Sequence, residues 1–142
     1  MRKYPIRYPF NFGCTPINHP YKRAGVVIIP MAHEKTTEAI TGTRFAPLNI
    51  MLASRYMELY NEEFGFETYR VAKIHTFDEM ELSSGGTIRP AKQVYNLYLK
   101  LLRDKKYPVM IGGEHTISLG AVMACQKFYP DLSVVYLDAF AN

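Results

Sequence analysis

Apolar residues recur along this chain in two alternating patterns. Ala24-Gly25-Val26-Val27-Ile28-Ile29-Pro30 and Val109-Met110-Ile111 are short runs without polar alternation, as expected of parallel strands covered on both faces. A third run, Ser133 to Leu137, reads as another buried strand. Between them lie helical spacings. Val94, Leu97, Tyr98, Leu101 and Leu102 follow i, i+3, i+4, i+7 and i+8, the clearest amphipathic pattern in the chain, and Pro90 suits its first turn. Leu48, Met51, Leu52, Tyr56 and Leu59 predict an earlier helix, closed by Phe64-Gly65. Phe66 to His75 is expected to be a strand with imperfect alternation. After Ile111, Gly112-Gly113 ends the strand, Glu114-His115 occupies the turn, and Thr116 or Ser118 can cap the following helix. Strands alternating with helices predict an α/β fold, a three-layer α/β/α arrangement with a mostly parallel sheet.

Residues 1–23 break both patterns. Pro5, Pro9, Pro16 and Pro20, with Pro30 just beyond, argue for an arm without regular structure, packed on its own domain or on a neighbouring subunit. The division is therefore an arm at 1–23 and one α/β domain at 24–142. Composition fits a globular protein, with 48% hydrophobic and 21% charged residues. No apolar run reaches the length of a membrane span, and Met1 to Pro9 lack the apolar core of a signal peptide. Cys14 and Cys125 lie far apart without metal or redox spacing, so a reduced, cytoplasmic protein is expected. The net charge of +4 arises from Arg2-Lys3, Lys22-Arg23 and the run from Arg103 to Lys106. The last of these falls at a helix end, where cations suit the dipole, and no nucleic-acid module accompanies it, so a nucleic-acid partner is not expected.

Candidate chemistry gathers where predicted strands end, the usual place for ligands in parallel sheets. Gly112-Gly113-Glu114-His115-Thr116 resembles the Gly-Gly-x-His-Ser motif of the ureohydrolases, the arginase and agmatinase superfamily. Asp138-Ala139-Phe140-Ala141-Asn142 is similar to that family's Asp-Ala-His-x-Asp motif with two substitutions. The lead-in from Pro130 to Val135 and the stretch Gly42-Thr43-Arg44-Phe45-Ala46-Pro47, close to the agmatinase Gly-Thr-Arg-Phe-Gly-Pro, add to the resemblance. It covers residues 24 to 142 and corresponds to the N-terminal half of such an enzyme. The family's later Ser-x-Asp-x-Asp motif has no counterpart in these residues.

The resemblance implies manganese-dependent hydrolysis of a linear guanidino compound to urea and an amine, more agmatinase-like than arginase-like. Two manganese ions lower the pKa of a bridging water in that chemistry. Carried over by motif position, His115 and Asp138 match metal ligands, Asn142 stands where a carboxylate belongs, and Phe140 replaces the histidine of the second metal. Phenylalanine offers no lone pair, and an asparagine carbonyl is a weaker ligand than a carboxylate, so manganese is expected to be incompletely bound or absent in this chain alone. No catalytic base is assigned. His33 with Glu34 offers a second ligand or acid–base pair, with an exposed loop as the plainer expectation, and His75, Asp78, Glu79 and Glu81 read as a solvated acidic turn.

The strand at 133–137 should be central in this fold, yet little chain follows it. A truncated ureohydrolase-like domain with an open apolar sheet edge is expected to need a partner. That partner would be a further copy in a homo-oligomer or a separate chain carrying the C-terminal half. The alternative is a non-catalytic binding or regulatory subunit assembling through that edge.

Overall fold

The computed structural model describes residues 10–37, 40–83 and 85–139. Its centre is a three-stranded, wholly parallel sheet in the order β4-β1-β5, built from β1 (Val26–Met31), β4 (Ile74–Thr76) and β5 (Tyr107–Gly112). The strand β1 is buried on both faces, as its unbroken apolar sequence requires. Val27, Ile29 and Met31 point into one core with Val94, Tyr98 and Leu101 of α3 (Ile88–Arg103) and with Ala124 of α4 (Ser118–Phe128). A helix on the remaining layer, α1 (Ala46–Ala53), packs against the same strands and buries Met51. The alternation of strands and helices read from the sequence is thus the architecture of the molecule.

The helices α3 and α4 approach closely because Gly120 has no side chain. A Cβ there would overlap the Ala91 carbonyl oxygen and lie 3.0 Å from the Tyr95 nitrogen. The amphipathic positions of α3 fall as expected, with Val94, Tyr98, Leu101 and Leu102 buried and Leu97 packed against the core. The basic end of α3 is engaged locally. Lys100 Nζ lies 2.7 Å from Asp104 Oδ2, and Lys106 Nζ donates to the Ala24 carbonyl at 2.7 Å.

Five expectations are corrected. The helix proposed from Leu48 to Leu59 is shorter: α1 stops at Ala53 and tightens into a 3-10 turn at Ser54–Tyr56. Ser54 Oγ donates to the Met51 carbonyl and accepts from Gly13 N, drawing the backbone out of the helical ladder. Of the apolar stripe Met51 is buried, whereas Leu48, Leu52 and Tyr56 are exposed. Phe64-Gly65, expected to close that helix, instead forms the turn of a hairpin between β2 (Tyr60–Asn61) and β3 (Phe66–Glu67), where Gly65 adopts φ 71°.

The strand expected from Phe66 to His75 is split into β3, a single helical turn α2 (Thr68–Val71) and β4. Burial of Tyr69, the Glu67–Arg70 ion pair one turn apart, and the left-handed Lys73 (φ 51°) fit a turn rather than a continuous strand.

The segment Ser133–Leu137 forms no strand among the described residues, and Val134, Val135, Tyr136 and Leu137 are exposed. A strand exists only with a neighbour, and among the described residues β5 stands at the sheet margin with none on its outer side. For the same reason Val109, Met110 and Ile111 are half-buried rather than covered on both faces.

The arm at 1–23 falls partly within the described residues. Its residues 10–23 contain only the 3-10 turns Phe12–Cys14 and Tyr21–Arg23, in keeping with its prolines, while residues 1–9 lie outside the described residues. Neither Cys14 nor Cys125 forms a disulfide. No described helix is long and apolar enough to cross a membrane.

Candidate active site at the carboxyl ends of β1 and β5

In the parallel pairing of β1 with β5, Met31 sits opposite Gly112, so the segments 32–37 and 113–118 leave the sheet side by side. Gly113 permits their contact. A Cβ at this position would overlap the His33 carbonyl oxygen and come within 3.0 Å of its carbon and 3.2 Å of the His33 nitrogen. The backbone of Glu114 then donates to the His33 carbonyl at 3.1 Å.

Glu114 closes this junction. Its Oε2 accepts from the backbone N–H groups of Lys35 (2.6 Å) and Thr36 (2.7 Å). Its Oε1 accepts from the hydroxyls of Thr36 (3.1 Å) and Thr116 (2.5 Å). Thr116 therefore spends its hydroxyl on Glu114, and neither it nor Ser118 makes the expected helix-capping bond. Burial alone would push the carboxyl's pKa up; the donors from Lys35, Thr116 and Thr36 outweigh it and bring it down to about 2. The buried His33 sets its Nε2 3.7 Å from Glu114 Oε1, too far for a hydrogen bond, and that nitrogen has no partner among the described residues.

Glu34 makes a second clamp, with Oε1 accepting from Gly42 N at 2.6 Å and from the Thr37 hydroxyl at 3.3 Å. The Gly42 N–H is the main reason its carboxyl stays below the ordinary range. The plainer expectation for His33 and Glu34 therefore fails. Both side chains are largely buried, and Glu34 organises the loop through its bonds to Gly42 and Thr37, while the glycine at 113 lets the turn after β5 pack onto the His33 backbone. His75 Nδ1 meets the His19 carbonyl at 2.7 Å, and Asp78, Glu79 and Glu81 are exposed, as a solvated turn requires.

One residue beyond Glu114, the His115 ring faces outward and meets the segment returning from α4. His115 Nδ1 is 3.4 Å from Asp138 Oδ2 and 2.8 Å from the Tyr136 hydroxyl. That hydroxyl donates to Asp138 Oδ2 at 2.6 Å. A phenol has one proton to give, so while Asp138 takes it a hydrogen bond between Tyr136 and His115 has Nδ1–H as its donor. The bond to Asp138, foremost, raises the Tyr136 pKa. Of the residues assigned from the sequence, His115 and Asp138 are brought together, while Phe140 and Asn142 lie outside the described residues. Tyr136 and the anchoring role of Glu114 were not legible. The only hint of the latter was a carboxylate directly after two glycines and two residues before a threonine.

This constellation does not by itself make a manganese centre. Among the described residues no group of three or more His, Cys, Asp or Glu side chains is placed to hold a metal ion. His115 and Asp138 are two donors, fewer than manganese takes, and Glu114 and Glu34 are committed to backbone donors. What the pair can do is present an oriented imidazole and a carboxylate at a strand end.

Comparison with known proteins identifies the family. The family model described as the arginase family matches residues 24–142. The agmatinase of Halalkalibacterium halodurans is 32% identical over 122 residues, covering 86% of this chain and 42% of that protein. The N(1)-aminopropylagmatine ureohydrolase of Thermus thermophilus is 29% identical over 123 residues, with 87% and 42% covered. Among solved structures, a Clostridium difficile protein provisionally named an agmatinase superposes with a TM-score of 0.76 at 29% identity, over 84% of this chain and 43% of that one. The agmatine ureohydrolase of Thermoplasma volcanium gives 0.68 at 25% identity, over 78% and 39%. The chain thus spans about 42% of the length of the relatives it matches. The family model, the relatives and the superposed structures agree on one conclusion: the chain belongs to the arginase family.

Proposed function

We propose that this chain is an agmatinase-like ureohydrolase subunit, contributing one part of a centre for hydrolysis of a linear guanidino compound to urea and an amine. The observation that carries the reading is the meeting of His115 and Asp138 at 3.4 Å beside the Gly112-Gly113 turn. The resemblance of Gly42–Pro47 to agmatinases and the names of the relatives favour a linear amine substrate over arginine.

The centre needs donors beyond these two. They would come from outside residues 1–142, for example from a further copy or from a chain carrying the C-terminal half. In this reading the 142-residue chain releases no urea alone, and manganese enters only when the donor set is completed. A second reading, a non-catalytic binding or regulatory subunit, is favoured by Phe140 and Asn142 standing in the positions of a histidine and an aspartate.

The test is isothermal titration of manganese into the chain and into the double variant Phe140→His with Asn142→Asp. If the strand end keeps the family arrangement, the double variant binds manganese at least tenfold more tightly. Unchanged isotherms would remove the basis for assigning His115 and Asp138 to a metal centre.

A further inference from the structure

The amino ends of the three parallel strands, opposite the candidate site, carry a band of cations. Lys73 directly precedes β4, Lys105-Lys106 directly precede β5, and Lys22-Arg23 lie in the turn before β1. The register of Val26 with Ile74 and with Tyr107 sets them side by side. Gly25 N donates to the Ala72 and Lys73 carbonyls at 3.2 Å, and Lys106 Nζ donates to the Ala24 carbonyl at 2.7 Å. Lys22, Arg23, Lys73 and Lys105 are exposed and have no ion-pair partner among the described residues, and the neighbouring Asp104 is taken by Lys100. Two of these lysines hold a backbone conformation that lysine does not favour. Lys105 has φ 56° just after the C-cap of α3, where its N–H bonds to the Leu102 carbonyl and that of Lys106 to the Leu101 carbonyl, an arrangement usually completed by glycine or asparagine. Lys73 has φ 51° in the same position after α2. The chain holds cations at both places against local preference, which points to a use for the charge.

A surface of opposite character adjoins this margin. Glu58, Glu62 and Glu63, on and beside the β2–β3 hairpin, are exposed and have no ion-pair partner among the described residues. Tyr60, Phe64 and Phe66 are exposed among them, and the rings of Phe64 and Phe66 stack with centroids 5.8 Å apart. From Glu67 at the end of β3 the chain reaches Lys73 through the helical turn α2, a span of at most about 20 Å, so hairpin and margin share one flank of the molecule. Exposed aromatics grouped with unpaired charge mark an interaction surface rather than an ordinary solvated turn.

We propose that this flank is the interface between two copies of the chain, related by a two-fold axis, with the acidic, aromatic hairpin of each copy on the basic margin of the other. Each copy offers both halves of the contact on one flank, so the contact is made twice and closes at a dimer. The lysines meet glutamates and aromatic faces, both of which attract cations. A polyanion would suit the margin but be repelled by the hairpin, and a basic partner the reverse, so the surface that complements both is the chain's own. The basic margin lies at the opposite end of the sheet from His115 and Asp138, so the dimer is independent of the proposed chemistry.

Sedimentation velocity of the full chain should show a dimer at about 0.1 M salt, with a dissociation constant at least tenfold higher at about 1 M. Lys73→Asp with Lys105→Asp reverses the margin using a residue that accepts the left-handed conformation better than lysine, and Glu62→Lys with Glu63→Lys reverses the hairpin. Each reversed protein alone should be monomeric, and the two mixed in equal amounts should pair again with an affinity within about tenfold of the parent's. Lys73→Gly with Lys105→Gly relieves the backbone, so it stays folded, and should weaken the dimer at least tenfold. Asp78→Lys with Glu79→Lys, in the exposed acidic turn after β4, should leave the dimer unchanged. A monomeric parent, a dimer that survives either reversal or the glycine variant, or reversed proteins that fail to pair on mixing would overturn the proposal. Dissociation by the changes at Asp78 and Glu79 would overturn it in favour of a contact through that turn.

Discussion

Replacing Gly113 by alanine should separate the two loops on which the candidate site stands. The added Cβ would overlap the His33 carbonyl oxygen and lie 3.0 Å from its carbon, and both are backbone atoms that cannot rotate away. The strand end must shift by about 1 Å to restore van der Waals distance. That shift stretches the 3.1 Å bond from Glu114 N to the His33 carbonyl and misaligns the donors of Lys35, Thr36 and Thr116 on the Glu114 carboxylate. A hydrogen bond to a charged group is worth about 1.5–3 kcal/mol, so losing one or two of them together with the strain costs about 3–4 kcal/mol. For 142 residues this lowers the melting temperature by about 10 °C. The control is Gly112→Ala, whose Cβ would meet only the Ile117 side chain, with Cδ1 at 2.6 Å, a group that can repack at a cost of about 1 kcal/mol. Neither glycine has positive φ, so backbone strain does not confuse the comparison. Differential scanning calorimetry of the two variants decides it. Equal melting temperatures, or a more stable Gly113→Ala, would refute the claim that the absence of a side chain at 113 joins the loops.

The Glu114 carboxyl has its pKa lowered from 4.5 to about 2 on folding, so its contribution to stability is fully present above pH 4.5 and disappears as the pH falls toward 2. That contribution is about 3 kcal/mol, and Glu114→Gln should narrow the stability gap to wild type between pH 6 and pH 3 in thermal melts; a constant gap would count against the carboxylate clamp. Gly120→Ala should force α3 and α4 apart and cost about 2–4 kcal/mol, read from the melting temperature, because the Ala91 carbonyl fills the space a Cβ would need. Native mass spectrometry of the purified 16.3 kDa chain should find it in a complex, with further copies or with an added chain carrying the C-terminal half. A monomer at working concentration would contradict the partner expected in the proposed function.

Helix α3 and strand β1 were legible because each satisfies its burial from a local pattern: Val94 to Leu102 on one helical stripe, Val26 to Ile29 as an unbroken apolar run. The glycine-rich turn and His115 were legible because the strand and turn that carry them are contiguous in sequence. What failed depended on distant partners. Ser54 ends α1 through a bond it makes with Gly13, 41 residues away. His33 is buried where the turn after β5 packs on its backbone, an approach that Gly113, 80 residues away, permits. The stretch 133–137 has the composition of a strand, but composition cannot provide the neighbour that would pair with it, and Leu137 is left 91% exposed. Tyr136, which bridges His115 and Asp138, follows from that placement and was invisible as part of an apolar run.

The most direct test of the central claim is a urea-release assay on the purified 142-residue chain with agmatine and saturating manganese. If His115 and Asp138 form only part of an arginase-family centre, no urea above background appears. Manganese-dependent urea release that is abolished by His115→Ala would contradict the account and show that this chain completes the centre by itself.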